Sequence, residues 1–230
     1  MEKREDLICV WPRATRAVSV TGTACALGCA HCGGHYLAGM AGLERAEGEV
    51  AADGPVDGEA AGGRRTEIGV GGWRAVRSLL VSGGCDAGGV VPLAREAGRL
   101  RRLKPRFRLN AHPGLVDEAE AEAIAGWADV ASLDFVADAA TLREVYGLSV
   151  PPDRYAAALR RLQARLPVVP HVVAGLRGGE IGPEYEALAR LAAEGIEALV
   201  VLVFIPTPGT RYAGRKPPPV DGVAEFLTAA

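Results

Sequence analysis

Cys25, Cys29 and Cys32 form a C-x3-C-x2-C loop directly behind the strand-like run Ala17 to Thr21. Three thiolates so spaced can hold three irons of a cubane 4Fe-4S cluster and leave the fourth iron without a protein ligand, open to a small molecule. The same loop could bind zinc, with His31 or His35 as fourth ligand, because tetrahedral zinc accepts mixed thiolate and imidazole shells. The remaining two of the five cysteines stand apart. Cys9, between Ile8 and Val10, is expected to pack as a small hydrophobe, whereas Cys85 follows a Gly-Gly turn.

Six apolar runs must position these residues: Ala17 to Thr21, Leu79 to Ser82, Phe107 to Ala111, Val130 to Val136, Val168 to Ala174 and Ala198 to Ile205. Most are too apolar for strands exposed on one face, and helical patterns separate them. That combination predicts a parallel sheet buried on both sides. Leu93, Ala97, Leu100 and Leu103 share one helical face, as do Tyr155, Leu159, Leu162 and Leu166 behind an Asp153 N-cap. In a further helix Pro183 suits the first turn, Leu188 and Leu191 face the core, and Gly195 marks the stop.

Six β/α units fall two short of the closed eight-fold barrel, so the expected fold is α/β, an open partial (β/α)6 TIM-like barrel whose strand ends converge on one mouth. The barrel is expected over residues 16–205, after an N-terminal extension over 1–15 and before a tail over 206–230 that stays irregular until an apolar segment near Phe226. Glu44 to Arg65 is rich in Gly, Ala, Glu and Asp, is interrupted by Pro55, and keeps no apolar period. It is expected to be a mobile surface loop.

A formal net charge of -2 lacks the basic footprint of general nucleic-acid binding. No membrane-length apolar run occurs, and the charged start Met1 to Asp6 is not followed by a signal-peptide core, so the expectation is a cytoplasmic protein with no membrane and no nucleic-acid partner. An odd number of cysteines with three in one loop argues against a disulfide framework. Arg99, Arg101, Arg102, Lys104, Arg106 and Arg108 form a basic cluster, which reads either as a solvated helix face or as a docking surface for an acidic carrier domain.

Placed behind the first strand, the cysteine loop resembles that of the radical S-adenosylmethionine superfamily, and further elements follow in that family's order along nearly the whole chain. The resemblance implies that Cys25, Cys29 and Cys32 hold the cluster and that His31 packs beside the bound cofactor. Ser82-Gly83-Gly84-Cys85 is similar to the family's Gly-Gly-Glu element, whose backbone receives the methionine amino group, with Cys85 standing where the Glu would be. Leu133-Asp134 resembles the place where biotin and lipoyl synthases carry a ribose-binding acid, and Asn110 and His112, closing the third run, would face the same mouth. Gly175 to Glu180 is similar to the Gly-rich turn that supports the adenosyl group in sulfur-inserting members, and Ile205 lies in a stretch similar to the closing segment of biotin synthase. The implied activity is cleavage of S-adenosylmethionine to a 5′-deoxyadenosyl radical that takes hydrogen from an unactivated carbon.

A narrower resemblance is to small biotin-synthase-like proteins, among them the subunits of a two-component lipoate synthase. Val20 to Cys25, Cys32 to Leu37, Ser82 to Asp86 and Val145 to Leu148 carry it. It implies sulfur insertion into an octanoyl chain on a carrier protein, with a second radical subunit and a reductase or ferredoxin-type electron donor as partners. Cys85, beside the cofactor glycines, is expected to act catalytically. An auxiliary Fe-S cluster would need ligands beyond Cys9 and Cys85, from His112, His171, an Arg or the partner. Other C-H functionalisation such as methylation, and a non-catalytic zinc or Fe-S binding module, are the alternative readings.

Overall fold

Each of the six apolar runs folds as a strand in the computed structural model, which describes residues 7–51 and 72–230. The strands are β1 Thr15–Ser19, β2 Ala41–Gly42, β3 Ser78–Ser82, β4 Arg108–Ala111, β5 Val130–Asp134, β6 Val168–Ala174 and β7 Val200–Val203. Only the short β2 has no counterpart among the expected runs. All pair in parallel, in the order β2-β1-β3-β4-β5-β6-β7. Because β2 and β7 remain edges among the described residues, the sheet is an open partial barrel rather than a closed one.

The register follows from which side chains are apolar. Val18, Leu79, Val81, Leu109, Ala131, Leu133 and Val172 are fully buried or nearly so, and Val18 lies opposite Val81 and Leu79 opposite Leu109. The same register sets Asp134 opposite His171 at the mouth end of β5. The edge strand β7 instead exposes Leu202 and Val203, each at 42%.

The helices are α1 His35–Ala38, α2 Leu43–Ala51, α3 Ala97–Leu103, α4 Glu118–Ala125, α5 Ala139–Thr141, α6 Asp153–Gln163, α7 Pro183–Ala193 and α8 Val220–Ala229. Leu93, Leu100 and Leu103 are fully buried as their spacing predicts, although Leu93 belongs to a 3-10 turn leading into α3. In α6 Tyr155, Leu159 and Leu162 are buried, while Asp153 is its first helical residue and pairs with Arg190 of α7 instead of capping. α4 begins with a complete capping box between Asp117 and Glu120.

Two expectations are corrected, for the 44–65 segment and for Cys9, and the apolar segment expected near Phe226 is given its form. The loop expected from Glu44 to Arg65 begins as a helix: Leu43 and Ala46 of α2 are buried, and Glu44 and Glu47 pair with Arg99 of α3. The rest of that expectation, residues 52–65, lies outside the described residues. The tail ends in a full helix, α8, whose Phe226 is buried with its ring edge-on to Tyr185 at 5.3 Å. Cys9 is exposed and not packed, because the segment around it, with Leu7, Ile8, Val10 and Trp11 all above 70% exposure, joins no strand.

Within the basic cluster Arg99 pairs with Glu44, Glu47 and Glu96, Arg102 with Glu47, and Lys104 with Asp129, while Arg106 donates to the carbonyl of Val76. Those charges tie α3 to α2, and the segment after α3 to the residues that precede β5 and β3. Among the described residues no helix is long and apolar enough to cross a membrane.

Candidate functional site

β1 delivers the chain to the mouth, where Val20 extends the ladder by donating to Ser82 O at 2.9 Å. The cysteine loop that follows is fixed at three points by backbone bonds to distant segments. Ala26 N donates to Cys85 O at 2.8 Å, Ala30 N donates to Val145 O at 2.6 Å, and Tyr212 N donates to Ala30 O at 3.0 Å. Ala30 is fully buried between Cys29 and Cys32, so both its backbone groups need partners, and both have them. The last bond comes from the segment beyond β7, which also places Thr207 Oγ1 3.1 Å from Tyr36 Oη. That segment therefore crosses the open side of the barrel and straps the loop from β7 back to β1.

The Gly-Gly turn after β3 packs directly against the loop. Gly84 N donates to Thr21 Oγ1 at 2.7 Å, and a Cβ on Gly84 would stand 1.9 Å from Ala24 O and 2.6 Å from Cys25 Cα. A glycine is required there by close approach, since no side chain fits. Ser82 Oγ donates to His112 O at 3.1 Å, so this residue braces the neighbouring strand end.

All the cysteines are free; Cys25 is exposed, and Cys29, Cys32 and Cys85 are partly buried. Burial first, then the neighbouring Cys32 and Cys25, pushes the Cys29 thiol up to about 12. Cys85 is likewise pushed up to about 12, by burial, then by Cys25, Cys29 and Asp134. Cys29 and Cys85 thus sit in surroundings that disfavour their thiolates until a cation is bound. A bound metal centre supplies that cation. The cysteine sulfurs are not drawn into a mononuclear shell: among the described residues the one group of three or more His, Cys, Asp or Glu ligand atoms within 4.8 Å of one another is His112, Asp134 and His171. Four ligands on a single zinc with Zn–S of 2.3 Å would bring sulfurs to about 3.8 Å of each other.

His31 faces inward from the loop. Its ring meets Tyr146 edge-on at 5.3 Å, burial holds its pKa below the ordinary value, and its Nδ1 is buried without a hydrogen-bond partner. His35, the other candidate zinc ligand, is exposed with Nδ1 3.1 Å from Cys32 O. Three closely spaced cysteines beside a buried imidazole nitrogen with no hydrogen-bond partner fit a thiolate-held cluster with a polar ligand next to it.

The opposite wall is built on β4, β5 and β6. Asp134 Oδ1 lies 3.3 Å from His112 Nε2 and 3.6 Å from His171 Nδ1, and the two imidazoles stand 5.4 Å apart. Burial opposes ionisation of Asp134, but the two histidines outweigh it and hold its carboxyl well below the usual range. The same charge, acting against burial, raises His112. Asn110 exchanges hydrogen bonds with Ser132 at 2.9 and 3.1 Å, which turns it toward the adjacent strand. Tyr146 lies in a π-helical turn, Leu142–Tyr146, and with Tyr155 is raised by burial and then by Asp134.

The structure thus brings His31, Cys29, Cys85 and Asp134 to one mouth. Gly175 and Ile205 lie differently. Gly175 donates its amide to buried Glu184 at 3.0 Å, and a Cβ there would meet Pro218 at 2.8 Å, so this turn is clasped by the tail. Ile205 is 69% exposed beyond β7. The sequence includes Tyr146 and Thr21 in resembling stretches, Tyr155 on a helix face and Thr207 in the closing segment, but assigns none of them a role at the mouth and does not join that segment to the cysteine loop. For Tyr146 a usable signal existed, because Gly147 behind it closes a turn with φ of +71°.

No family model and no curated protein matches the sequence. Among solved structures the fold is similar to that of methylornithine synthase (PylB), with a TM-score of 0.63 at 15% identity, over 94% of this chain. The chain spans 61% of the length of that protein. The likeness establishes the fold: the parallel, partial TIM-like barrel expected from the sequence.

Proposed function

We propose that this chain is a radical S-adenosylmethionine enzyme. The observation that carries the reading is the cysteine loop at the carboxyl end of β1, its buried Ala30 pinned through both backbone groups to Val145 and Tyr212. Cys25, Cys29 and Cys32 would hold a 4Fe-4S cluster with one open iron, and His31 would flank the cofactor. Together the cluster and S-adenosylmethionine supply a one-electron cleavage that ends in hydrogen abstraction from an unactivated carbon. The protein's own share is positional: the Thr21 to Gly84 bond sets the turn against the loop, and Tyr146 and Tyr155 wall the mouth with aromatic surface that excludes water.

The finer reading is sulfur insertion, as one subunit of a two-component lipoate synthase acting on a carrier-bound octanoyl chain. It is supported by the biotin-synthase-like strand ends, by Cys85 beside the cluster cysteines, and by the apolar edge of β7, where Leu202 and Val203 suit a second subunit. Cys85 would act catalytically, and an electron donor of the reductase or ferredoxin type would feed the cluster.

Anaerobic reconstitution with iron and sulfide tests the coarser reading. About four irons and four sulfides per chain, with S-adenosylmethionine split to 5′-deoxyadenosine and methionine under strong reductant, is the expected result. A colourless, zinc-loaded chain that leaves the cofactor intact would support the binding-module alternative. Supplying the candidate partner and octanoylated carrier then tests the finer one: cofactor cleavage without sulfur incorporation would redirect it to methylation or other C-H chemistry.

A further inference from the structure

We propose that His112, Asp134 and His171 form a mononuclear site for a divalent first-row transition metal, separate from the cysteine loop and with coordination positions left for a small oxygen ligand. The site goes beyond the radical reading and does not depend on it.

The donors come from three adjacent strands. His112 follows β4, Asp134 ends β5, and His171 stands in β6 directly opposite Asp134. A rigid parallel sheet therefore fixes their relative heights. Metal–donor bonds near 2.1 Å place tetrahedral donors about 3.4 Å apart. The separations here are 3.3 Å from His112 to Asp134 and 3.6 Å from His171 to Asp134, with all three donor atoms inside 4.8 Å. Two edges of the coordination polyhedron are already in place, and rotation of the imidazoles closes the third.

Charge points the same way. The ion-pair partners of Asp134 among the described residues are the two imidazoles, not a lysine or an arginine. A dication held between the two imidazoles would pair with that carboxylate. Two nitrogens and one carboxylate form a donor set suited to iron(II) or zinc and leave sites open.

An independent observation lies in the recess beside two of the donors. Asp134 and His171 line a small recess shared with Thr141 and Tyr146. The hydroxyl oxygens of these two lining residues, Thr141 Oγ1 and Tyr146 Oη, are buried without hydrogen-bond partners. Unpaired buried hydroxyls are costly, and a metal-bound water or ligand oxygen would satisfy them.

The test uses the full chain in two forms. With Cys25, Cys29, Cys32 and Cys85 all changed to Ser, Co2+ should bind at about one equivalent with weak visible d–d bands and no sulfur charge-transfer band. Because that variant can fail to fold, Mn2+ binding is also read by EPR on wild-type chain whose cysteines are occupied by a reconstituted cluster. Adding His112→Gln or His171→Gln should weaken binding in either form by at least about 10-fold. Binding unchanged in both histidine variants, or none in wild type at millimolar metal, overturns the site and leaves a hydrogen-bonded His-Asp-His row. Cofactor cleavage measured on the same wild-type sample reports separately on the radical reading.

Discussion

The buried amide of Ala30 donates to the carbonyl of Val145 at 2.6 Å, so the stretch between the second and third cysteines is registered on the π-helical turn that carries Tyr146. Gly147 ends that turn at φ of +71°, with its nearest outside neighbour, Leu27 O, at 3.6 Å from a built Cβ. Gly147→Ala therefore tests backbone strain without a clash. The left-handed conformation should cost about 1–2 kcal/mol, which lowers the melting temperature by several degrees in a chain of this size. If the turn positions the cysteines, reconstituted iron per chain should also fall. A variant that melts earlier yet takes up iron fully would show that the Val145 bond does not set the loop.

Gly84→Ala should act by a different route. The new Cβ meets backbone atoms of Ala24 and Cys25 at 1.9 and 2.6 Å, and a backbone neighbour cannot rotate away. The loop must shift, so iron uptake and cofactor cleavage should drop together. Gly98→Ala is the control: it lies in α3 with nothing within 4 Å of a built Cβ, and the change should stabilise by roughly 0.5–1 kcal/mol. Thermal melts and iron quantitation on the two variants separate steric from propensity effects.

These dependencies explain how far the sequence could be read. Val18, Val81, Leu133 and Val172 declare their strands by composition alone, because a parallel strand covered on both faces must be apolar throughout. The cysteine spacing is likewise local information. The helix α2 was hidden, since what it packs on lies elsewhere in the chain: Leu43 and Ala46 are buried in the core, and Arg99, more than fifty positions away, gathers Glu44 and Glu47. The strap was hidden for the same reason: the bond from Tyr212 to Ala30 joins the two ends of the chain, and neither segment carries a pattern that announces the other. Gly175 was legible as part of a glycine-rich turn, but the sequence does not say that Glu184 and Pro218 occupy its surroundings.

Glu184 supports that turn from beneath. Its carboxylate accepts from the amides of Gly175 at 3.0 Å, Leu176 at 3.1 Å and Gly182 at 2.9 Å, while the side chain is buried at the first turn of α7. Glu184→Ala strands three donors and should cost about 2–4 kcal/mol, by analogy with other unsatisfied buried groups. Glu184→Gln retains one carbonyl acceptor and should cost less than half as much. Urea melts of both variants check the ranking, and equal losses would mean that helix packing, not the hydrogen bonds, sets the effect.

Cys85 and the loop cysteines should separate cleanly in an iron assay. Changing any of Cys25, Cys29 or Cys32 to Ser replaces a soft thiolate with a poor iron ligand, so iron content and cofactor cleavage should both fall to background. Cys85 is joined to the loop through its carbonyl, which accepts from Ala26 N, and that bond survives a side-chain change. Its thiol, pushed up to about 12, is protonated at neutral pH in the metal-free chain and holds no charge that the loop needs. Cys85→Ser should therefore keep full iron and full cleavage of S-adenosylmethionine while lowering formation of the substrate-derived product. Loss of iron in Cys85→Ser would instead make it a fourth ligand, and an undiminished product yield would remove it from the chemistry.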